Sequence, residues 1–365
     1  MALLYAGFVA FILILLVLDL GVFHRTARVV RVQEALAWSA VWIGLGLAFT
    51  GFIYAGYEHH WFGLGLRPDA TSAVDPALGV YNDGASAAIK YLTGFVVEKS
   101  LAVDNVFVIA MIFGFLGVPT MYQHRVLFWG IAGALVLRGL MIAVGAVLIT
   151  RFSWITYVFG GFLIVTGLKM LWIRGDAGDL DRNLLVRLTR RWLSVTERFH
   201  GERFLVRAGS PASQAPATPG SAVQVDRVVA RARRGALLAT PLFLALVLVE
   251  LTDVVFAVDS IPAIFAITTD PFLVFTSNVF AILGMRSLYF ALAGMIDRFR
   301  YLKASLAVVL VVVGAKMLAH TYLKAWLGPH VQLYFLGLIG ALIAVGVVAS
   351  LRHRAAAPVP PRGAA

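Results

Sequence analysis

No cysteine occurs anywhere in the chain. That excludes disulfides and thiolate metal sites and leaves oxygen and nitrogen as the available ligands. Charge is scarce too: Asp, Glu, Lys and Arg make up 14% of the 365 residues, against about 25% in a typical soluble domain. Acids are rarer than bases, 19 against 31. A P-loop, a Gly-rich phosphate motif and a nucleophile–base constellation are all missing. The reading is therefore not an enzyme and not an ATP-driven pump.

What is present is apolar. Hydrophobic residues make up 60% of the chain and the mean hydropathy is +0.86. Runs of roughly 20 apolar residues span a bilayer, and such runs recur over 3–23, 35–57, 85–116, 126–150, 154–173, 237–267, 273–296, 302–322 and 331–351. The fold class is an all-α polytopic membrane protein with about nine transmembrane helices, with the lipid bilayer as its surroundings. The net charge of +12 reads as positive-inside bias rather than as a nucleic-acid surface. Basic connections follow the first, third, fifth, seventh and ninth spans, which places the N-terminus outside and the C-terminus in the cytoplasm.

Five segments follow. Residues 1–84 hold two helices and an acidic external loop. Residues 85–174 and 237–323 each hold three helices. Residues 175–236 form a basic cytoplasmic loop, and 324–365 hold the last helix and a tail of disordered composition. Within the basic loop, 183–204 interleaves Leu, Trp and Phe with arginines. It reads either as an amphipathic helix on an anionic membrane face or as plain charge bias. Residues 209–220 are Ser/Ala/Pro-rich and read as a flexible linker.

The two three-helix segments echo each other. Leu101-Ala-Val-Asp104 matches Phe256-Ala-Val-Asp259 at an offset of 155. Leu137-Arg138 pairs with Met285-Arg286 at 148, and Gly167-Leu-Lys169 with Gly314-Ala-Lys316 at 147. An odd number of spans per unit forces the second unit to enter the membrane upside down, the inverted-repeat plan of secondary transporters.

The chemistry lies in acids within these runs. Glu98, Asp104, Glu250, Asp253 and Asp259 are intramembrane by position, and each acid at a bilayer centre costs roughly 3 kcal/mol. Asn105, Ser260 and Asn278 add neutral oxygens. An all-oxygen set favours a hard divalent cation as substrate: manganese, calcium or magnesium. Asp19 is open between an interfacial acid and a further site carboxylate. Pro262 is expected to break its helix and free the carbonyl of Val258. Lys99, Arg138, Lys169, Arg286 and Lys316 are also intramembrane. They read as counter-charges that neutralise the empty site, with fixed ion pairs holding a bundle together as the rival.

Four stretches resemble the TerC family of integral membrane proteins: Leu18-Asp19-Leu-Gly-Val-Phe-His24-Arg25; Glu98-Lys-Ser-Leu-Ala-Val-Asp104-Asn105; Glu250-Leu-Thr-Asp253-Val-Val-Phe-Ala-Val-Asp259-Ser260-Ile-Pro262-Ala; and Thr276-Ser-Asn278-Val-Phe-Ala-Ile-Leu-Gly-Met-Arg286-Ser-Leu-Tyr-Phe. The resemblance implies a bacterial inner-membrane protein linked to manganese export and tellurium resistance, and implies that Asp19 is a site residue. The expected function is export of a divalent metal, manganese first, through a carboxylate-lined site between the repeats. The rival readings are an accessory protein that matures membrane or secreted proteins through partners on the basic loop, and an indirect role in tellurium resistance.

Overall fold

The structure is a computed structural model and describes residues 2–21, 32–69, 71, 79–152, 154–172, 195–210, 226–292, 300–319, 322–323 and 331–352. It is an all-α polytopic membrane protein with, among the described residues, one small two-stranded antiparallel sheet. The helices are α1 (Ala2–Gly21), α2 (Val32–Glu58), α3 (Gly84–Leu116), α4 (Thr120–Arg151), α5 (Ile155–Trp172), the short α6 (Arg227–Arg231), α7 (Pro241–Phe265), α8 (Pro271–Ile282), α9 (Met285–Leu292), α10 (Arg300–Leu318) and α11 (Val331–Arg352). Among the described residues seven helical stretches are long and apolar enough to cross a bilayer, α8 and α9 counting as one, and Ala2–Leu18 and Ala304–Leu318 are shorter apolar helices. Together they stand where the sequence predicts spans.

Capping residues mark the ends. The Asp83 carboxylate accepts from Ser86 N at 2.7 Å to start α3, and Gly117, at φ 63°, ends it. Thr240 precedes Pro241 at the start of α7, and Asp270 precedes Pro271 at the start of α8. Two expectations change here. The sixth span starts at Pro241, because 237–239 is spent on strand β2 (Leu237–Ala239), paired antiparallel with β1 (Leu205–Arg207). And Pro262 does not break α7, which runs on to Phe265. Proline removes one bond, but the next turn re-forms, with Ala266 N donating to Pro262 O at 3.0 Å.

The break lies in the seventh span instead. α8 ends at Ile282, and Leu283 and Gly284 separate it from α9. Gly284 has φ +77°, and a Cβ there would strike the Trp42 side chain at 2.5–2.8 Å. Both the left-handed backbone and the close approach of α2 require glycine.

The α8–α9 span is the most enclosed of the seven long ones among the described residues, with α3, α4 and α2 packed around it. α4 also packs on α7, and α5 on α10. The α5–α10 crossing is close: a Cβ on Gly160 would meet Gly314 O at 3.2 Å, and one on Gly167 would meet Ala307 O at 2.6 Å. An offset of 147 maps the first of these contacts onto the second.

Residues 195–204, expected as part of an amphipathic helix, are irregular; 183–194 lies outside the described residues. Both ends of this segment are tied to β2 and the residue after it, with Thr196 N donating to Ala239 O at 2.8 Å and Thr240 N to Phe204 O at 2.9 Å. Of the expected linker, Gly209 and Ser210 form a turn, and 211–220 lies outside the described residues, as do 353–365 of the tail.

Candidate functional site

The centre of the bundle is organised by Arg138. It sits mid-way along α4, is 3% exposed at its side chain, and forms salt bridges to Glu98 of α3 and to Asp253 of α7. Its Nη2 donates to Asp253 Oδ1 at 3.0 Å and its Nε to Asp253 Oδ2 at 3.3 Å, the two-pronged geometry that suits guanidinium and carboxylate. Its Nη1 donates to Asn278 Oδ1 of α8 at 3.1 Å and to Ser260 Oγ of α7 at 3.5 Å. Three helices, α3, α7 and α8, thus place polar groups on one cation carried by a fourth, α4.

One guanidinium faces two carboxylates in this set. The second oxygen of Glu98, Oε2, is buried without a hydrogen-bond partner among the described residues, and so is Asn278 Nδ2. An unsatisfied buried polar atom costs about 1–3 kcal/mol, more when charged. Beside them lies a cavity of about 40 Å³ lined by Glu98, Leu101, Asn105, Arg138, Met170, Phe256, Ser260 and Leu310. That is room for an ion or a water. A second, of about 10 Å³, has Asn105, Asp253, Gly130 and Thr252 in its lining.

Glu250, one turn before Asp253, points elsewhere. It is half-buried against α4, where any Cβ on Gly133 would collide with its carboxyl group. Its Oε2 also lacks a hydrogen-bond partner among the described residues. Lys99 does not join the acids either. Its Nζ donates to the carbonyls of Ala281 at 3.0 Å and Leu283 at 2.9 Å. It thereby caps the end of α8 that the break at Gly284 exposes.

The other expected site residues divide. Arg286 is buried at the start of α9. Lys316 is buried on α10, with its Nζ 4.9 Å from the centre of the Phe335 ring. Lys169 is exposed in the last turn of α5. The side chains of Asp19, Asp104 and Asp259 lie outside the described residues. Among the described residues no three carboxylates or histidines form a metal-binding group. The cluster is an arginine-bridged carboxylate pair drawn from both three-helix segments.

Asp69 and Lys90 went unassigned in the sequence. Lys90 carried a signal, a charge inside an apolar run. Asp69 carried none, since the composition of 58–84 reads only as loop.

The sequence has relatives. Residues 83–357 match the model of the integral membrane protein TerC family. The chain belongs to the TerC family. An uncharacterized membrane protein of Myxococcus xanthus, STKORF319, is 44% identical over 351 residues, 96% of this chain and 93% of the relative. A protein of Escherichia coli K12, Alx, whose name proposes it as a membrane-bound redox modulator, is 44% identical over 317 residues, 87% of this chain and 85% of the relative. An uncharacterized membrane protein of Rickettsia bellii is 36% identical over 345 residues, 93% and 97% of the two chains. No solved structure matches this TerC chain.

Proposed function

We infer that this TerC protein is a transporter that exports a divalent metal ion, manganese first, with calcium and magnesium as the alternatives. One observation carries the reading. Acids from the two three-helix segments, Glu98 and Asp253, meet on a buried arginine beside a cavity, with a carboxylate oxygen left over. A fixed strut would match charge for charge, because an uncompensated buried charge is strongly destabilising. A surplus of negative charge suits a cation that comes and goes, with Arg138 holding the acids in its absence.

The inverted-repeat plan supports this reading. Glu98 and Asp253 are equivalent under the offset of 155, and the reciprocal Gly160–Gly314 and Gly167–Ala307 approaches are what a two-fold relation between the segments produces. Inverted repeats place substrate near the midplane between them. The inner membrane of a bacterium, with the C-terminus cytoplasmic, is the setting that the loop charges favour. A redox role of the kind named for the E. coli relative would have to work here without thiols, since the chain has no cysteine.

The test is flux. Purified protein in liposomes should move manganese, and Glu98→Gln and Asp253→Asn should each reduce that flux at least tenfold in folded protein. Liposomes with wild-type protein that are no leakier to manganese, calcium or magnesium than empty ones would end this reading and leave the accessory-protein alternative, in which partners dock on the basic segment around Arg227, Arg231, Arg233 and Arg234.

A further inference from the structure

Eight residues before Glu98, α3 carries another buried charge. The Nζ of Lys90 donates to Asp69 Oδ2 at 2.9 Å and to Asn82 Oδ1 at 2.6 Å. Asp69 is the hub. It is 4% exposed and also accepts from Asn82 Nδ2 at 3.1 Å and from Thr71 N and Oγ1 at 2.9 and 2.7 Å. From the turn between α7 and α8 it accepts Thr268 Oγ1 at 2.6 Å and Thr269 N and Oγ1 at 3.1 and 3.0 Å. A carboxylate offers about four lone-pair sites, so this one is saturated. Burial alone would raise its pKa, but the Lys90 charge, the Thr268 hydroxyl and the remaining donors outweigh burial and hold it well below the usual carboxylate range.

The donors come from both halves of the bundle. Lys90 belongs to α3, the first helix of one three-helix segment, and Thr268 and Thr269 to the turn between the first two helices of the other. Asp270 follows at once, its N–H donating to Thr268 Oγ1 at 3.2 Å and its carboxylate capping α8. From there Asn278 is eight residues deeper on α8, as Glu98 is eight residues deeper than Lys90 on α3. Both legs come to about 12 Å at 1.5 Å per residue. The hub therefore stands in line above the Arg138 cluster, on the face of the 58–84 connection. Lys316 of α10 is within electrostatic reach of both Lys90 and Asp69.

A permanent junction between helices does not need such groups. Apolar packing in place of a buried ion pair is often neutral or stabilising. A junction built wholly of groups that water can satisfy is one that can open to water. We propose that Asp69 is the outer gate of the pathway: it pins the two three-helix segments together on this face, and its release from Thr268, Thr269 and Lys90 admits water and ions to Glu98 and Asp253. This rests on the transport reading and adds where that pathway closes.

The absence of cysteine makes the test clean, because an introduced thiol is the only one. Leu101 lines the cavity with Glu98 and Arg138. Full-length Leu101→Cys protein in sealed membrane vesicles of each orientation is treated with a membrane-impermeant maleimide. From the face of the 58–84 connection the thiol should react slowly. Adding Asp69→Ala or Thr268→Val should speed that reaction roughly tenfold or more, the population shift expected for losing a hydrogen bond to a charged group. From the opposite face the rate should not rise. Thr268→Val removes one hydroxyl and keeps every charge, so it decides the matter where Asp69→Ala does not fold. An unchanged rate in folded Thr268→Val protein, or an equal rise from both faces, would make the hub a strut and overturn the gate. Labelling needs no metal, so a failure of manganese flux removes the metal reading without touching this result.

Discussion

Replacing Arg138 by methionine tests the charge balance of the centre. The side chain is 3% exposed and holds Glu98, Asp253, Asn278 and Ser260. Methionine keeps much of the volume and removes the charge. Two carboxylates, both buried, then lose the guanidinium that bridges them. Breaking a buried ion pair costs about 3–5 kcal/mol, and the two like charges left behind repel each other. Arg138→Met alone should therefore lower the melting temperature sharply in detergent. A divalent cation should then take the vacated place. At one hundred times its dissociation constant a ligand stabilises the folded state by about 2.7 kcal/mol, over half even of the larger estimate of the loss. So manganese should raise the melting temperature of Arg138→Met more than that of wild type. Adding Glu98→Gln and Asp253→Asn should restore stability without metal and abolish the response to it. The assay is thermal unfolding by size-exclusion fluorescence across a manganese series. A variant as stable as wild type would refute Arg138 as the charge hub. A destabilised variant that the acid substitutions rescue but no divalent cation touches would refute the ion site and leave a strut.

Asp104→Asn and Asp259→Asn should each cut manganese flux in liposomes at least tenfold while inserting normally, since charge count tunes affinity for hard cations and fewer intramembrane charges ease insertion; normal flux in both would remove these acids from the pathway. Gly284→Ala should cost about 1–2 kcal/mol for the left-handed backbone alone, with the Trp42 clash adding to it, and Trp42→Ala should recover part of the lost thermal stability. His200, buried with Nε2 at 3.5 Å from Asp226 Oδ2, titrates below its ordinary value of 6.5 because burial disfavours the charged ring more than Asp226 favours it. Its contribution is full above pH 6.5 and is lost as the pH falls through the lowered pKa. Protease cleavage at Arg233 or Arg234 should accelerate on acidification, and His200→Gln should flatten that dependence.

Much of the architecture was legible because the bilayer imposes it locally. Span length and the cost of charge in lipid are both properties of short stretches of chain. Glu98, Asp253 and Arg138 stood out for the same reason: each is a charge where charge is costly. What only the tertiary structure decided is which charge meets which. Arg138 finds Asp253 at 115 residues' distance, whereas Lys169 turns outward and Lys99 turns to the carbonyls of α8. The helix break followed the same rule. Pro262 announces itself in the sequence, but a lost hydrogen bond near a helix end is easily absorbed. Gly284 looks like any other glycine until Trp42 packs against it. Asp69 was the least legible residue, because its loop composition says nothing of burial. Thr268 and Thr269, 199 and 200 residues away, make it a hub, and such a separation is closed only by the fold.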